Sequence, residues 1–161
     1  MSGKKKILVI QNIHQKGIDL LESYSNYEFE IFDEINEDLK RKIVDCDAIS
    51  IRTAKLSDEI IKTAKKLKVI SRHGVGYDNI GLKSAKEIGA TLTITSTANA
   101  VAVAEHVMFM LLNISKRKDM YDQSVKSGKF TDRNKLPKTI ELWGKNILIA
   151  GFGRIGQALI K

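Results

Sequence analysis

Three groups of residues in this 161-residue chain have the types and spacing to do chemistry. The first is Gly74-Val75-Gly76, which follows Arg72-His73. Two glycines flanking one residue leave the backbone N–H groups uncovered, and such a nest binds a carboxylate or a phosphate. On spacing alone the loop is equally a tight turn that links strand to helix. The second group is Gly151-x-Gly153-x-x-Gly156. In a dinucleotide turn Gly151 allows the sharp bend, Gly153 lets a pyrophosphate approach the backbone, and Gly156 lets helix and strand pack closely. A helix that starts there points free N–H groups and a partial positive charge at the phosphates. The motif alone also fits a glycine-rich β–α turn of another kind. The third group is Glu105-His106, inside a long apolar run. A catalytic pair is one reading. The preferred one is a buried, hydrogen-bonded pair that fixes neighbouring loops.

The flanking residues favour the dinucleotide reading of the second group. Residues 146–150 are a short apolar run of strand type, and Ile155, Ala158 and Leu159 recur at helical spacing. Strand, glycine turn and helix is the context that the fingerprint requires. The acidic residue that grips the ribose comes roughly 20 residues later, beyond Lys161.

Upstream, strands and helices alternate. Strands are expected at 7–10, 27–32, 48–51, 69–71 and 90–94, the second more exposed than the rest. Helices are expected at 14–24, with Ile18, Leu20 and Leu21 as its apolar residues, and at 37–44, with Leu39, Ile43 and Val44 inward. A third follows at 58–64 behind the N-cap Ser57, and a fourth at 82–88, ended by Gly89. This alternation implies a parallel sheet with helices on both faces. Open α/β sheets bind ligands outside the carboxyl ends of their strands. Arg52-Thr53 follows the third strand, Arg72 to Gly76 the fourth, and Thr95 to Asn99 the fifth. Cationic side chains, adjacent glycines and an amide therefore converge on one edge, a plausible anion site. Asp78 and Asn79 read as residues that shape the following turn.

Asn99 is expected to cap a helix running to about residue 118. Of residues 100–114, 12 of 15 are apolar. Such a helix is expected to be buried on several sides, by a second domain, a second subunit, or both. A short helix at 120–127 and a polar loop or arm at 128–137 follow. Trp143 reads as a packing anchor or part of a subunit contact.

Composition narrows the classes. Hydrophobic residues make up 43% of the chain, enough for one domain's core. The net charge is +8, but only 6% of residues are aromatic and none interleaves the lysine clusters. Solvated helix ends explain these clusters better than nucleic-acid binding, and a mildly positive surface also draws in anionic substrates. The single Cys46 reads as structural and fits a reducing compartment. The N-terminal apolar run is too short for a signal peptide, and the stretch 100–114 is too interrupted for a membrane span. A cytoplasmic location is expected.

The run RHGVGYDNIGLKSAKEIGATLTITSTANAVAVAEHVMFMLLNISKR, followed by ELWGKNILIAGFGRIGQA, closely resembles the D-isomer-specific 2-hydroxyacid dehydrogenases, among them the phosphoglycerate dehydrogenases. The resemblance covers residues 7–161 in order and spacing. It implies a flavodoxin-like substrate domain over 1–98. Residues 99–161 would then be a dimerisation helix and arm plus the first β–α unit of a Rossmann NAD-binding domain. The active site of the family lies in the cleft between its two domains. By resemblance, Gly74, Val75 and Gly76 bind the substrate carboxylate through backbone N–H groups, and Val75 also lies near the nicotinamide. Arg52 matches a position that often meets the substrate, and Asn99 lines the same cleft. Gly151, Gly153, Arg154, Ile155 and Gly156 hold the pyrophosphate of NAD.

The loop before Asn99 carries Ser96 where the family usually has a proline. The family's catalytic arginine, glutamate and histidine lie after the glycine fingerprint, so none is expected here, and Glu105 and His106 do not stand in for them. The expectation is thus a homodimeric NAD-dependent oxidoreductase of small 2-hydroxy or 2-oxo acids, binding neither nucleic acid nor membrane. These 161 residues are expected to be inactive alone. Residues from 147 onward are expected to be ordered only against a partner or the rest of the protein. The rival readings are an NAD-sensing corepressor-like module and a flavodoxin-like regulatory domain.

Overall fold

The structure, a computed structural model, describes residues 3–161. The chain divides into two compact units, Met1–Ser96 and Thr97–Lys161.

In the first unit five strands, β1 (Lys5–Ile10), β2 (Tyr27–Phe32), β3 (Ala48–Ile51), β4 (Val69–Arg72) and β5 (Thr91–Ile94), form one sheet of order β2-β1-β3-β4-β5. Every pairing is parallel. This is the flavodoxin-like order, which reverses direction beside β1. The register explains the apolar pattern. Leu8, Ile49, Ile70 and Leu92 fall in one row across the sheet. Ile10, Ile51, Arg72 and Ile94 fall in the next. Alternate residues of a strand share a face, so both rows point to the same side. There Leu8, Ile10, Ile49, Ile51 and Ile70 pack with Leu39, Ile43, Ile61 and Leu67 as one buried core.

The helices α1 (Gln15–Glu22), α2 (Glu37–Lys42), α3 (Asp58–Thr63) and α4 (Leu82–Glu87) sit near the expected positions. Three details differ. Leu20 is 58% exposed, not inward, because two residues after the buried Ile18 a helix has rotated by about 200°. Val44 is also exposed, since α2 ends at Lys42 and a 3-10 turn, Ile43–Asp45, follows with only Ile43 inward. The start of α2 is set by Asn36, whose Oδ1 accepts from the Leu39 N–H at 2.9 Å. Ser57 occupies the cap position of α3 in extended backbone without a capping side-chain bond. Several basic residues at the amino ends of the strands are paired. Lys5 meets Asp47 and Lys6 meets Asp45, each at 2.8 Å, and Lys66 also binds Asp45.

The second unit holds α5 (Ala100–Lys116), α6 (Lys118–Lys126) and α7 (Arg154–Leu159). Arg117, with φ 53, ends α5 in the left-handed region. A 3-10 helix, Phe130–Lys135, lies within the expected loop. The expected burial of α5 on several sides is not met within the chain. Only Ala104 and Ser115 are buried, while Val101, Phe109 and Ile114 remain open, Ile114 by 68%. Residues 146–150 form no strand, and Leu148 is 94% exposed. A strand needs a neighbour for its backbone groups, and no other strand lies in this unit. Trp143 is likewise 94% exposed, so it anchors no packing within the chain. Among the described residues no helix is long and apolar enough to cross a membrane.

Candidate functional site

Parallel strands all end on one side, so the chain segments after β1, β3, β4 and β5 share a sheet edge. The loop after β4 begins with the His73 N–H donating to the Ile51 carbonyl at 2.7 Å. Gly74 follows with φ +145, a backbone conformation that only glycine adopts readily. Its carbonyl accepts from the Thr95 N–H at 2.9 Å. No intramolecular hydrogen bond among the described residues uses the N–H groups of Gly74, Val75 or Gly76. Three successive main-chain donors are thus without a partner in the chain, which is the first requirement of an anion nest.

Arg72 lies between Ile51 and Ile94 in the core-facing row; it is half-buried, and its buried Nε has no partner. Its Nη1 donates to the His73 carbonyl at 2.9 Å. The guanidinium lies against Gly74, filling the space where a side chain on that residue would start. Arginine stays charged at any physiological pH, so this contact adds positive potential beside the free N–H groups.

Arg52, immediately after β3, is exposed. Among the described residues it makes no ion pair or hydrogen bond. Its loop is tied to the one after β4. The Asn79 Nδ2 donates to the Ala54 carbonyl at 2.8 Å. The Leu56 N–H donates to the Asn79 carbonyl at 2.9 Å, and the Gly81 N–H to the Leu56 carbonyl at 2.8 Å. The Asn79 side chain therefore bonds across loops and makes no bond to its own turn, a role its sequence position did not reveal. A neighbouring depression is lined by Asp58, Glu59 and Asp78 with one cation, Lys55, a net negative charge that disfavours anions. Cys46 lies apart from this edge. It is fully buried, and burial pushes its thiol up to about 12, which leaves it protonated and inert.

The remaining candidates belong to the second unit. Asn99 stands at the N-cap position of α5, and its carbonyl accepts from the Val103 N–H at 2.9 Å. Its side chain makes no capping bond and is exposed, so the expected cap is one of position only. The glycine turn keeps part of the expected steric pattern, although no strand precedes it. Gly151 has φ +99. Gly153 is open, with no heavy atom near the place of a Cβ. Gly156 is buried, and a Cβ there would lie 2.6 Å from the Gly151 carbonyl oxygen. Bare backbone at Gly153 and an obligatory close contact at Gly156 fit a pyrophosphate turn. Arg154 and Ile155 open α7. Glu105 and His106 are both exposed, and the His106 ring stacks on Phe109 at 5.9 Å between centroids. The buried hydrogen-bonded pair expected there does not occur within the chain. Among the described residues no cluster of histidine, cysteine and carboxylates has the makings of a metal site.

Residues 7–152 match the family described as D-isomer specific 2-hydroxyacid dehydrogenase, catalytic domain. The chain belongs to that family. Among curated relatives it is 38% identical over 160 residues to D-3-phosphoglycerate dehydrogenase 3, chloroplastic, of Arabidopsis thaliana, covering 98% of this chain and 27% of that one. It is 32% identical over 168 residues to a glyoxylate reductase of Pyrococcus furiosus, covering 98% and 49%. The chain thus spans half the length of these relatives or less. Among solved structures, the NAD-dependent formate dehydrogenase of Staphylococcus aureus in complex with NAD matches with a TM-score of 0.79 at 27% identity. That match covers 96% of this chain and 51% of the other. The 2-hydroxyacid dehydrogenase of Ketogulonicigenium vulgare Y25 shares the fold, with a TM-score of 0.82 at 23% identity, covering 99% and 51%.

Proposed function

We propose that this chain is the acid-binding part, with the first β–α unit of the cofactor domain, of a homodimeric, cytoplasmic, NAD-dependent D-2-hydroxyacid dehydrogenase. The observation that carries the reading is the row of three unbonded N–H groups at Gly74, Val75 and Gly76, one strand from the unpaired Arg52. The N–H groups grip the substrate carboxylate, and Arg52 supplies charge to draw in and orient the acid. Asn99 adds a polar side chain that the helix does not use. The turn at Gly151, Gly153, Arg154, Ile155 and Gly156 holds the pyrophosphate of NAD. When bound, NAD supplies the hydride acceptor for the substrate carbon. The groups that move the hydroxyl proton lie outside residues 1–161 in this reading, so the chain alone does not turn over. The open apolar positions Val101, Phe109 and Ile114 of α5 suit a second copy.

The test is an assay of NADH formation, comparing the whole gene product with the purified 161-residue chain on D-3-phosphoglycerate, D-glycerate and D-lactate. Turnover of at least one acid by the whole protein and none by the chain is expected. No turnover by the whole protein, or turnover by the chain alone, overturns the reading.

A further inference from the structure

At the end of β1, Gln11 has φ 67. Apart from Arg117, which ends a helix, it is the one non-glycine residue among those described with positive φ. A long side chain gains nothing locally from that conformation, and nothing in the strand requires it. Its N–H donates to the Phe32 carbonyl at 2.6 Å and so closes the β1–β2 ladder. Its side chain does something different. The amide oxygen accepts from the Thr53 N–H at 2.6 Å, the Thr53 hydroxyl at 3.1 Å and the Ala54 N–H at 2.8 Å. One oxygen thus takes up the first two main-chain donors after Arg52. Asn79 holds the Ala54 carbonyl from the opposite side at 2.8 Å. The two residues that follow Arg52 are clamped between β1 and the loop after β4, while the Arg52 side chain is free.

We infer that Gln11 is a positioning residue: it fixes the backbone after Arg52 so that the guanidinium is aimed at the substrate acid. This rests on the function proposed above. The bent backbone is what brings the amide oxygen to the neighbouring strand end. A strained residue held by surrounding contacts is found where placement matters. The clamp acts on the acid and not on the dinucleotide, because every bond it makes ends on the Arg52 loop.

Two variants of the whole gene product separate this role from a merely structural one. Gln11→Met keeps length and removes the acceptor. Gln11→Asn suits the left-handed backbone better than glutamine does but is one methylene too short to reach Thr53. Steady-state kinetics with D-3-phosphoglycerate, D-glycerate and D-lactate, a thermal melt, and amide exchange at Thr53 and Ala54 are the readouts. Both variants are expected to raise KM for the acid on the order of tenfold, with kcat and KM for NAD within about twofold. Exchange at Thr53 and Ala54 is expected to accelerate in both, and the Gln11→Asn melt to lie above that of Gln11→Met, because asparagine suits the left-handed backbone. Acid KM within about twofold of wild type, or unchanged exchange, overturns the inference. So does a fall in kcat and a rise in both KM values that follow the melting temperature. If the wild type turns over none of these acids, the proposed function itself fails and the inference falls with it, a result distinct from the others.

Discussion

The Arg72 guanidinium occupies the place of a Gly74 side chain: Nη1 lies 1.2 Å from where a Cβ would stand. Two separate facts therefore demand glycine at residue 74, this contact and a φ of +145. The first can yield, since Nη1 ends a flexible side chain. The second cannot, since the flanking His73 and Thr95 bonds fix the backbone. Gly74→Ala is expected to cost about 1–3 kcal/mol of stability and to weaken acid binding, leaving NAD affinity intact. Chemical denaturation and separate KM values for acid and NAD check it.

Arg52 gives the opposite profile. It is exposed and unpaired, so Arg52→Met is expected to leave the melting temperature unchanged. Losing a charged hydrogen bond to the acid is worth about 1.5–3 kcal/mol, a rise in acid KM of roughly 10- to 100-fold. A lowered melting temperature with unchanged KM would show that Arg52 serves the fold instead.

In the second unit, Gly156→Ala places a Cβ 2.6 Å from a backbone oxygen that has no flexible side chain to move. Overpacking of this kind costs about 1–3 kcal/mol, and here it opens the glycine turn. Titration of the whole protein with NAD is expected to show affinity falling at least about tenfold, while acid-loop variants bind NAD as wild type does.

Asp45 links charge to stability. Hydrogen bonds from Lys6 and Lys66 hold its carboxyl down to about 2, from 3.8. The unfolded chain therefore takes up the proton first as pH falls. The stabilisation is fully present above about pH 4 and is lost as pH drops toward about 2. Asp45→Asn is expected to flatten that part of the stability-versus-pH curve. Melts recorded across the interval for both proteins test the sign.

The sheet was legible because its central strands are short segments rich in β-branched and aliphatic residues, such as Ile7 to Ile10, bounded by polar residues. The carboxyl-edge rule then brought Arg52 and Gly74 to one side without further information. Leu20 and Val44 failed on helix phase and on where α2 ends; the other misses depended on partners. Residues 146–150 have a strand's composition but no strand to join within the chain. Trp143, Glu105 and His106 are open for lack of anything to cover them. Gln11 gave no signal because a glutamine reaching from β1 to the loop after β3 follows no local period. Asn79 resembled an ordinary turn residue for the same reason.

The direct test of the account lies in the amide resonances of Gly74, Val75 and Gly76 in the whole, NAD-loaded protein, titrated with glycolate and with ethylene glycol, which lacks the carboxylate. The three N–H signals are expected to shift together and saturate with glycolate, and to stay in place with ethylene glycol. Glycolate binding that leaves all three unmoved would contradict the carboxylate nest and the function built on it.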